Sequence, residues 1–229
     1  MGIYENVLKV REEINKTAIE TGRNLNDIKI LGVTKTRTVD EIKELLKAGV
    51  NILGENKVQE FLPKYEALKN ENIEWHFIGN LQRNKVKYII DKVNLIHSVN
   101  SLSLAAEINK QAKKFNKVMD ILIEVNIAKE ENKYGIMPEE AAVFYQALHQ
   151  FDNIKLCGLM CIAPFVKNAK DNAKHFRHMC KIAIDIKGLN DYHCRLEDMM
   201  KVMSFGMSGD FLEAIACGAT IVRLGTILF

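Results

Sequence analysis

The chain has 229 residues, 48% of them hydrophobic and 27% charged, with a formal net charge of +3. That length supports one large core or two small ones, and the composition is that of an ordinary globular protein. A small charge spread along the chain excludes the clustered basic footprint of a nucleic-acid binder, and no apolar run approaches the roughly 20 residues of a membrane span. The N-terminus MGIYENVLKVREEINKTA is amphipathic and mixed in charge, without a signal-peptide block, so a cytoplasmic location is expected.

A helix over residues 3–21 comes first. Apolar runs rich in Ile, Val and Leu then predict strands at 28–34, 50–54, 73–78, 94–99, 119–126, 154–161, 202–206 and 220–225. Between them, helical spacing predicts helices at 38–48, 56–69, 83–91, 101–115, 138–150, 168–187 and 210–217. Thr38 with Glu41 has capping-box spacing, Pro138 before Glu139 and Glu140 marks a helix start, and Gly49 and Gly218 stand just past helix ends. Near-continuous runs such as DILIEVNI suit strands buried on both faces. Eight strands alternating with helices, and no linker, predict an α/β fold: a single (β/α)8 TIM-type barrel occupying residues 1–229 as one domain. No helix follows the last strand, so the N-terminal helix is expected to cover the gap between strands eight and one.

The C-terminal run VMSFGMSGDFLEAIACGATIVRLGTILF carries the clearest chemistry. Loops after strands seven and eight of such barrels commonly build a phosphate site. Ser204, Ser208, Gly225 and Thr226 supply hydroxyls and small residues there, where backbone N–H groups can approach phosphate oxygens. Ser208-Gly209-Asp210 also reads as the N-cap region of the next helix. Arg223 stands two residues before Gly225 and shares its face. Either it meets a ligand, or it forms a structural salt bridge with a carboxylate such as Glu124 or Glu55.

On strand one, Leu31, Val33 and Lys35 alternate onto one face. A lysine desolvated at a barrel mouth loses its proton more readily, and the neutral amine can attack an aldehyde. Lysine, inward arginine and phosphate cradle together point to a pyridoxal phosphate pocket. A phosphosugar enzyme with a Schiff-base lysine is the competing reading. Asn56 suits a pocket residue or a helix N-cap, and His76 a pocket residue or a satisfied core histidine. Trp75 faces away, toward the helices. Met160 and Met203 suit pocket lining or core equally. Lys133 and Tyr134 lie in the loop after strand five, and Tyr134 is the nearest acid/base tyrosine. Cys157, Cys161, Cys180, Cys194 and Cys217 fit no disulfide or zinc spacing and read as small buried hydrophobes, with Cys157 and Cys161 on one face of the sheet.

The segments GVTKTRT, NILGENKVQE, IEWHFIGNLQRNK, NLIHSVNS, NIAKEENKYGI, CGLMCIAP and the C-terminal run resemble, in order, the YggS/PROSC family of pyridoxal-phosphate homeostasis proteins. The resemblance implies an alanine-racemase-like barrel lacking the racemases' second domain. It makes Lys35 the lysine that holds the cofactor as a Schiff base and sets Arg223 toward the pyridine nitrogen. It also turns Asn56 and His76 into the pocket. It implies storage, shielding or delivery of pyridoxal phosphate, with pyridoxal-phosphate-dependent apo-enzymes as recipients, by a monomer that binds no metal. The alternative is an amino-acid racemase or decarboxylase on the same barrel, for which the chain offers no second acid/base domain. Arg37 and Thr38 depart from the family's usual lysine and proline, and members usually continue past Phe229 with a glycine and a short basic tail.

Overall fold

The computed structural model describes residues 2–189 and 200–229. Eight parallel strands close into a barrel in sequence order: β1 (Lys29–Val33), β2 (Ile52–Glu55), β3 (Glu74–Phe77), β4 (Leu95–Val99), β5 (Met119–Glu124), β6 (Ile154–Met160), β7 (Val202–Ser204) and β8 (Ile221–Leu224). Seven fall within the ranges expected from the apolar runs, and β2 runs one residue past its expected 50–54. Closure pairs β1 with β8, setting Leu31 opposite Arg223 and Gly32 opposite Leu224.

The helices α1 (Ile3–Glu20), α2 (Val39–Lys47), α3 (Val58–Ala67), α4 (Leu102–Lys114), α5 (Ala141–Leu148), α6 (Ala173–Gly188) and α7 (Phe211–Ala216) surround the barrel. Thr38 and Glu41 form the expected capping box at the start of α2. Residues 83–91 differ from expectation: Arg83–Tyr88 winds as a 3₁₀-helix. Its buried Val86 and the following Ile89 are three apart, the repeat of a 3₁₀ turn.

On α1, Ile3, Val7, Val10, Ile14 and Ala18 recur every three or four residues and are buried. The helix packs against α2 and α7. Asn6 Nδ2 donates to Leu228 O at 3.3 Å, and Arg11 Nη2 to Gly49 O at 2.9 Å. It therefore fills the position of the missing eighth helix, as the element count suggested.

Two cores result. The outer one joins the helices to the outside of the sheet and includes Trp75, Phe77, Met203 and Phe205. The inner one fills the barrel with Leu31, Val33, Ile52, Leu95, Leu122, Cys157, Met160 and Ile221. Cys157 and Cys161 do not share a face. The β5–β6 register slips between Ile121 and Leu122, so Leu156 and Gly158 are paired and Cys157 is the extra residue. One added residue inverts the alternation beyond it, sending Met160 inward and Cys161 outward. Burial drives both thiols up to about 12, which keeps them protonated and inert. Cys194 lies outside the described residues.

Candidate functional site

Lys35, Asn56, Ser208, Gly225 and Thr226 all follow the C-terminal ends of strands, the end at which barrel enzymes place their ligands. Lys35 is two residues past β1 in a tight turn, followed by Thr36 with φ of 62°. The side chain is exposed, so the expected desolvation of its amine by the protein is not present. The backbone around it is held from behind instead. Buried Lys64 donates to Thr34 O at 2.7 Å and to Glu55 Oε1 at 2.6 Å. Thr34 Oγ1 also donates to Glu55 Oε1, at 2.7 Å, and Thr36 N donates to Glu60 Oε2 at 3.1 Å. An ion pair and its neighbours on α3 thus fix the turn that presents Lys35.

Asn56 is not a helix cap. Lys57 occupies the N-cap position of α3, and the Asn56 side-chain oxygen is buried without a hydrogen-bond partner among the described residues. A buried amide oxygen left unpaired costs about 1–3 kcal/mol, which points to a ligand as its partner. Gly79 backs this residue closely: a Cβ there would lie 2.0 Å from Asn56 O.

Beyond β7 the chain turns at Gly206, whose φ of 91° favours glycine. Ser208 Oγ then accepts from Gly225 N at 3.4 Å, bridging the loops after β7 and β8. Asp210, rather than Ser208, is the N-cap residue of α7, and it accepts from Met207 N at 2.7 Å and Asn172 Nδ2 at 2.8 Å. A methyl group at Gly209 would meet nothing within 4 Å, and one at Gly225 would touch Val33 at an ordinary 3.6 Å. Thr226 is exposed. These small residues leave open backbone beside β1, two positions from Lys35.

Arg223 lies inside the barrel, 5% exposed. Its Nη1 donates to Ser204 O at 2.7 Å and Ser204 Oγ at 2.8 Å, and Nη2 donates to Cys161 O at 2.9 Å. It forms no salt bridge with Glu124 or Glu55; Glu55 is paired with Lys64. Three of its five N–H groups are used in these bonds.

Two expected site residues sit elsewhere. Ser204 is fully buried beneath Arg223, its hydroxyl shared between Arg223 and His97, so it is not part of the open cradle. His76 points into the barrel, but its ring is taken by Glu74 at 2.9 Å and His97 at 2.9 Å, toward the N-terminal end. Both point inward by strand alternation, and their polar atoms are taken by neighbours inside the barrel.

His97 and Asn100 escaped the sequence reading, and Glu124 entered it only as a possible ion-pair partner of Arg223. His97 alternates with Leu95 on β4, and that spacing is the signal that marks it as inward. Asn100 Nδ2 donates to Glu124 Oε2 at 3.0 Å, and burial raises the pKa of the Glu124 carboxyl. Of the flanking residues, Arg37 pairs with Glu41 at 3.1 Å and covers the Phe229 ring at 4.4 Å. Lys133 pairs with Glu130, and Tyr134 is exposed. Met160 lines the barrel interior, whereas Met203 and Trp75 pack outside it.

A family model for the alanine racemase N-terminal domain matches residues 15–229. A pyridoxal phosphate homeostasis protein of Aquifex aeolicus is 44% identical over 229 residues, covering all of this chain and 98% of the relative. The chain belongs to the pyridoxal phosphate homeostasis protein family. Its Escherichia coli member is 33% identical over 231 residues, covering 99% and 95% of the two chains. Among solved structures, PipY of Synechococcus elongatus with PLP bound superposes with a TM-score of 0.83 at 27% identity, over 99% of both chains. An alanine racemase of Clostridium difficile gives 0.70 at 18% identity. That likeness shows the barrel fold alone. It covers 98% of the homeostasis-family chain but only 56% of the racemase.

Proposed function

We propose that this protein binds pyridoxal 5′-phosphate and serves intracellular homeostasis of that cofactor by storing, shielding or delivering it. The observation that carries the reading is the convergence, at one mouth of the barrel, of an exposed lysine, an unpaired buried amide oxygen and an open small-residue cradle. The residues fit the cofactor. Lys35 would hold its aldehyde carbon, Ser208, Gly225 and Thr226 its phosphate, Asn56 its ring substituents, and the free N–H groups of Arg223 the pyridine nitrogen. Bound pyridoxal phosphate supplies an electrophilic carbon to which primary amines add reversibly.

The chain's own residues suit holding more than turnover. Arg223 can donate but has no proton-accepting atom, so it leaves a ring nitrogen unprotonated. The family names support a binder over a racemase, and Tyr134, the nearest candidate tyrosine, is 61% exposed in its loop. The Lys64–Glu55 pair keeps the Lys35 turn in place, and exposure of Lys35 leaves it open to exchange with incoming amines. We further place the chain in the cytoplasm as a one-domain monomer that passes its cofactor to apo-enzymes. Among the described residues no helix is long and apolar enough to cross a membrane.

Titration of the purified protein with pyridoxal phosphate, followed by absorption, tests the reading. The parent should develop a visible band that Lys35→Ala lacks, and alanine in D2O should show no deuterium exchange at its α-carbon. Absence of a band overturns the cofactor assignment. Rapid exchange moves the protein to the enzymes.

A further inference from the structure

A line of four hydrogen bonds crosses the barrel interior from Arg223 to the N-terminal mouth. Arg223 Nη1 meets Ser204 Oγ at 2.8 Å, and Ser204 Oγ meets His97 Nδ1 at 3.0 Å. His97 Nε2 meets His76 Nδ1 at 2.9 Å, and His76 Nε2 meets Glu74 Oε1 at 2.9 Å. Ser204 and His97 are fully buried and His76 is 1% exposed, so water does not compete for the inner links.

The two ends constrain the direction of the links. A guanidinium only donates, and an ionised carboxylate only accepts. Ser204 Oγ must accept from Arg223, which leaves its own hydrogen free to go to His97 Nδ1. Neutral His97 then carries its hydrogen on Nε2 and donates to His76 Nδ1. His76 in turn carries its hydrogen on Nε2 and donates to Glu74. With both imidazoles neutral, this is the one assignment that satisfies every bond. The electrostatics favour a neutral His97. Burial, then the nearby His76 and Arg223, hold His97 well below the usual imidazole range, and the His76 hydrogen bond lowers the Glu74 carboxyl.

We propose that His97 is a positioning residue for the pyridoxal-phosphate site: by taking the Ser204 hydrogen, it keeps the Ser204 lone pairs turned toward Arg223 and so fixes the guanidinium whose free N–H groups would meet the pyridine nitrogen. The inference rests on the cofactor reading given above. Without an acceptor at the Nδ1 position, the Ser204 hydroxyl is free to turn its hydrogen toward Arg223. One anchor then becomes a repulsion, and the guanidinium keeps only the Ser204 and Cys161 carbonyls.

Two measurements test this. Nitrogen-15 NMR of the histidine side chains in the cofactor-free protein should show Nδ1 bare and Nε2 protonated on both His76 and His97. A hydrogen on His97 Nδ1 overturns the proposal without any variant having to fold. In the cofactor titration, His97→Phe and Ser204→Ala should both displace the visible band and weaken binding about tenfold, the scale of one hydrogen bond to a charged group. His97→Asn, which restores an acceptor oxygen near Nδ1, should recover most of both. Equal perturbation by His97→Phe and His97→Asn makes His97 merely structural and overturns the proposal, as does no perturbation by either. If the parent binds no pyridoxal phosphate, the underlying reading fails and takes the positioning role with it, whereas the NMR assignment of the imidazoles stands on its own.

Discussion

The outside and the inside of this barrel are built to different rules. Outside the sheet, helices and strands share one apolar core in which Phe205 stacks on Phe176 at 4.9 Å and Phe61 packs edge-on against Trp75 at 5.3 Å. Inside, a smaller apolar cluster shares the space with buried His76, His97, Ser204, Glu124 and Arg223. Burying polar groups costs free energy unless each finds a partner, so a chain selected for stability alone would fill that space with aliphatics. The contrast teaches that the outer core supplies stability, while the inner one gives up some of it to aim a few side chains at one mouth.

Removing outer packing should therefore do the largest damage. Phe205→Ala is expected to cost about 3–5 kcal/mol, read as a lower urea midpoint. Deleting residues 3–20 should leave a chain without a cooperative thermal transition, because α1 closes the outer layer between α2 and α7. Lys64→Met breaks a polar pair buried in the outer layer, between α3 and β2. It strands the fully buried Glu55 carboxylate and should cost a similar 3–5 kcal/mol. It should also weaken cofactor binding, since the Lys35 turn loses its clamp. A variant that loses stability but keeps affinity would separate the clamp from the site.

Two inner carboxylates should respond to pH with opposite signs. The Glu74 carboxyl is held below its ordinary value of 4.5, chiefly by the His76 hydrogen bond. The stability it contributes is present above that ordinary value and is lost as pH falls through the lowered one. Its side chain is 40% exposed, so solvent screening keeps the effect small. Burial raises the Glu124 carboxyl, so its stabilising share is present at acid pH and is lost as pH rises through the raised value. Chemical denaturation at acid and neutral pH should show Glu74→Gln less stable than the parent at neutral pH, and Glu124→Gln no less stable. Lys35→Ala should change stability least, within about 0.5 kcal/mol, because its side chain is exposed.

The outer architecture was legible in the sequence because it repeats. Eight apolar runs, a capping box at Thr38 and a buried stripe on the first helix each follow one periodicity, and the missing eighth helix could be counted. The inner layer is legible only while alternation holds. His97 could have been found by its spacing from Leu95, but the extra residue at Cys157 inverted the faces of Met160 and Cys161. No local pattern marks such a bulge. Ser204 lies in the same short run as Ser208, and only the depth of β7 in the barrel separates a buried hydroxyl from one at the mouth. The exposure of Lys35 depends on where the β1 turn ends. That is set by Lys64, nearly thirty residues away in sequence and in hydrogen-bond contact through Thr34 O.

The most direct test of the central claim is peptide mapping after borohydride treatment of the protein mixed with pyridoxal phosphate. A single stoichiometric pyridoxyl adduct on Lys35, absent from the other lysines, is the predicted result. An adduct spread over surface lysines, or concentrated on another residue such as Lys133, would contradict the assignment of this barrel mouth as the cofactor site.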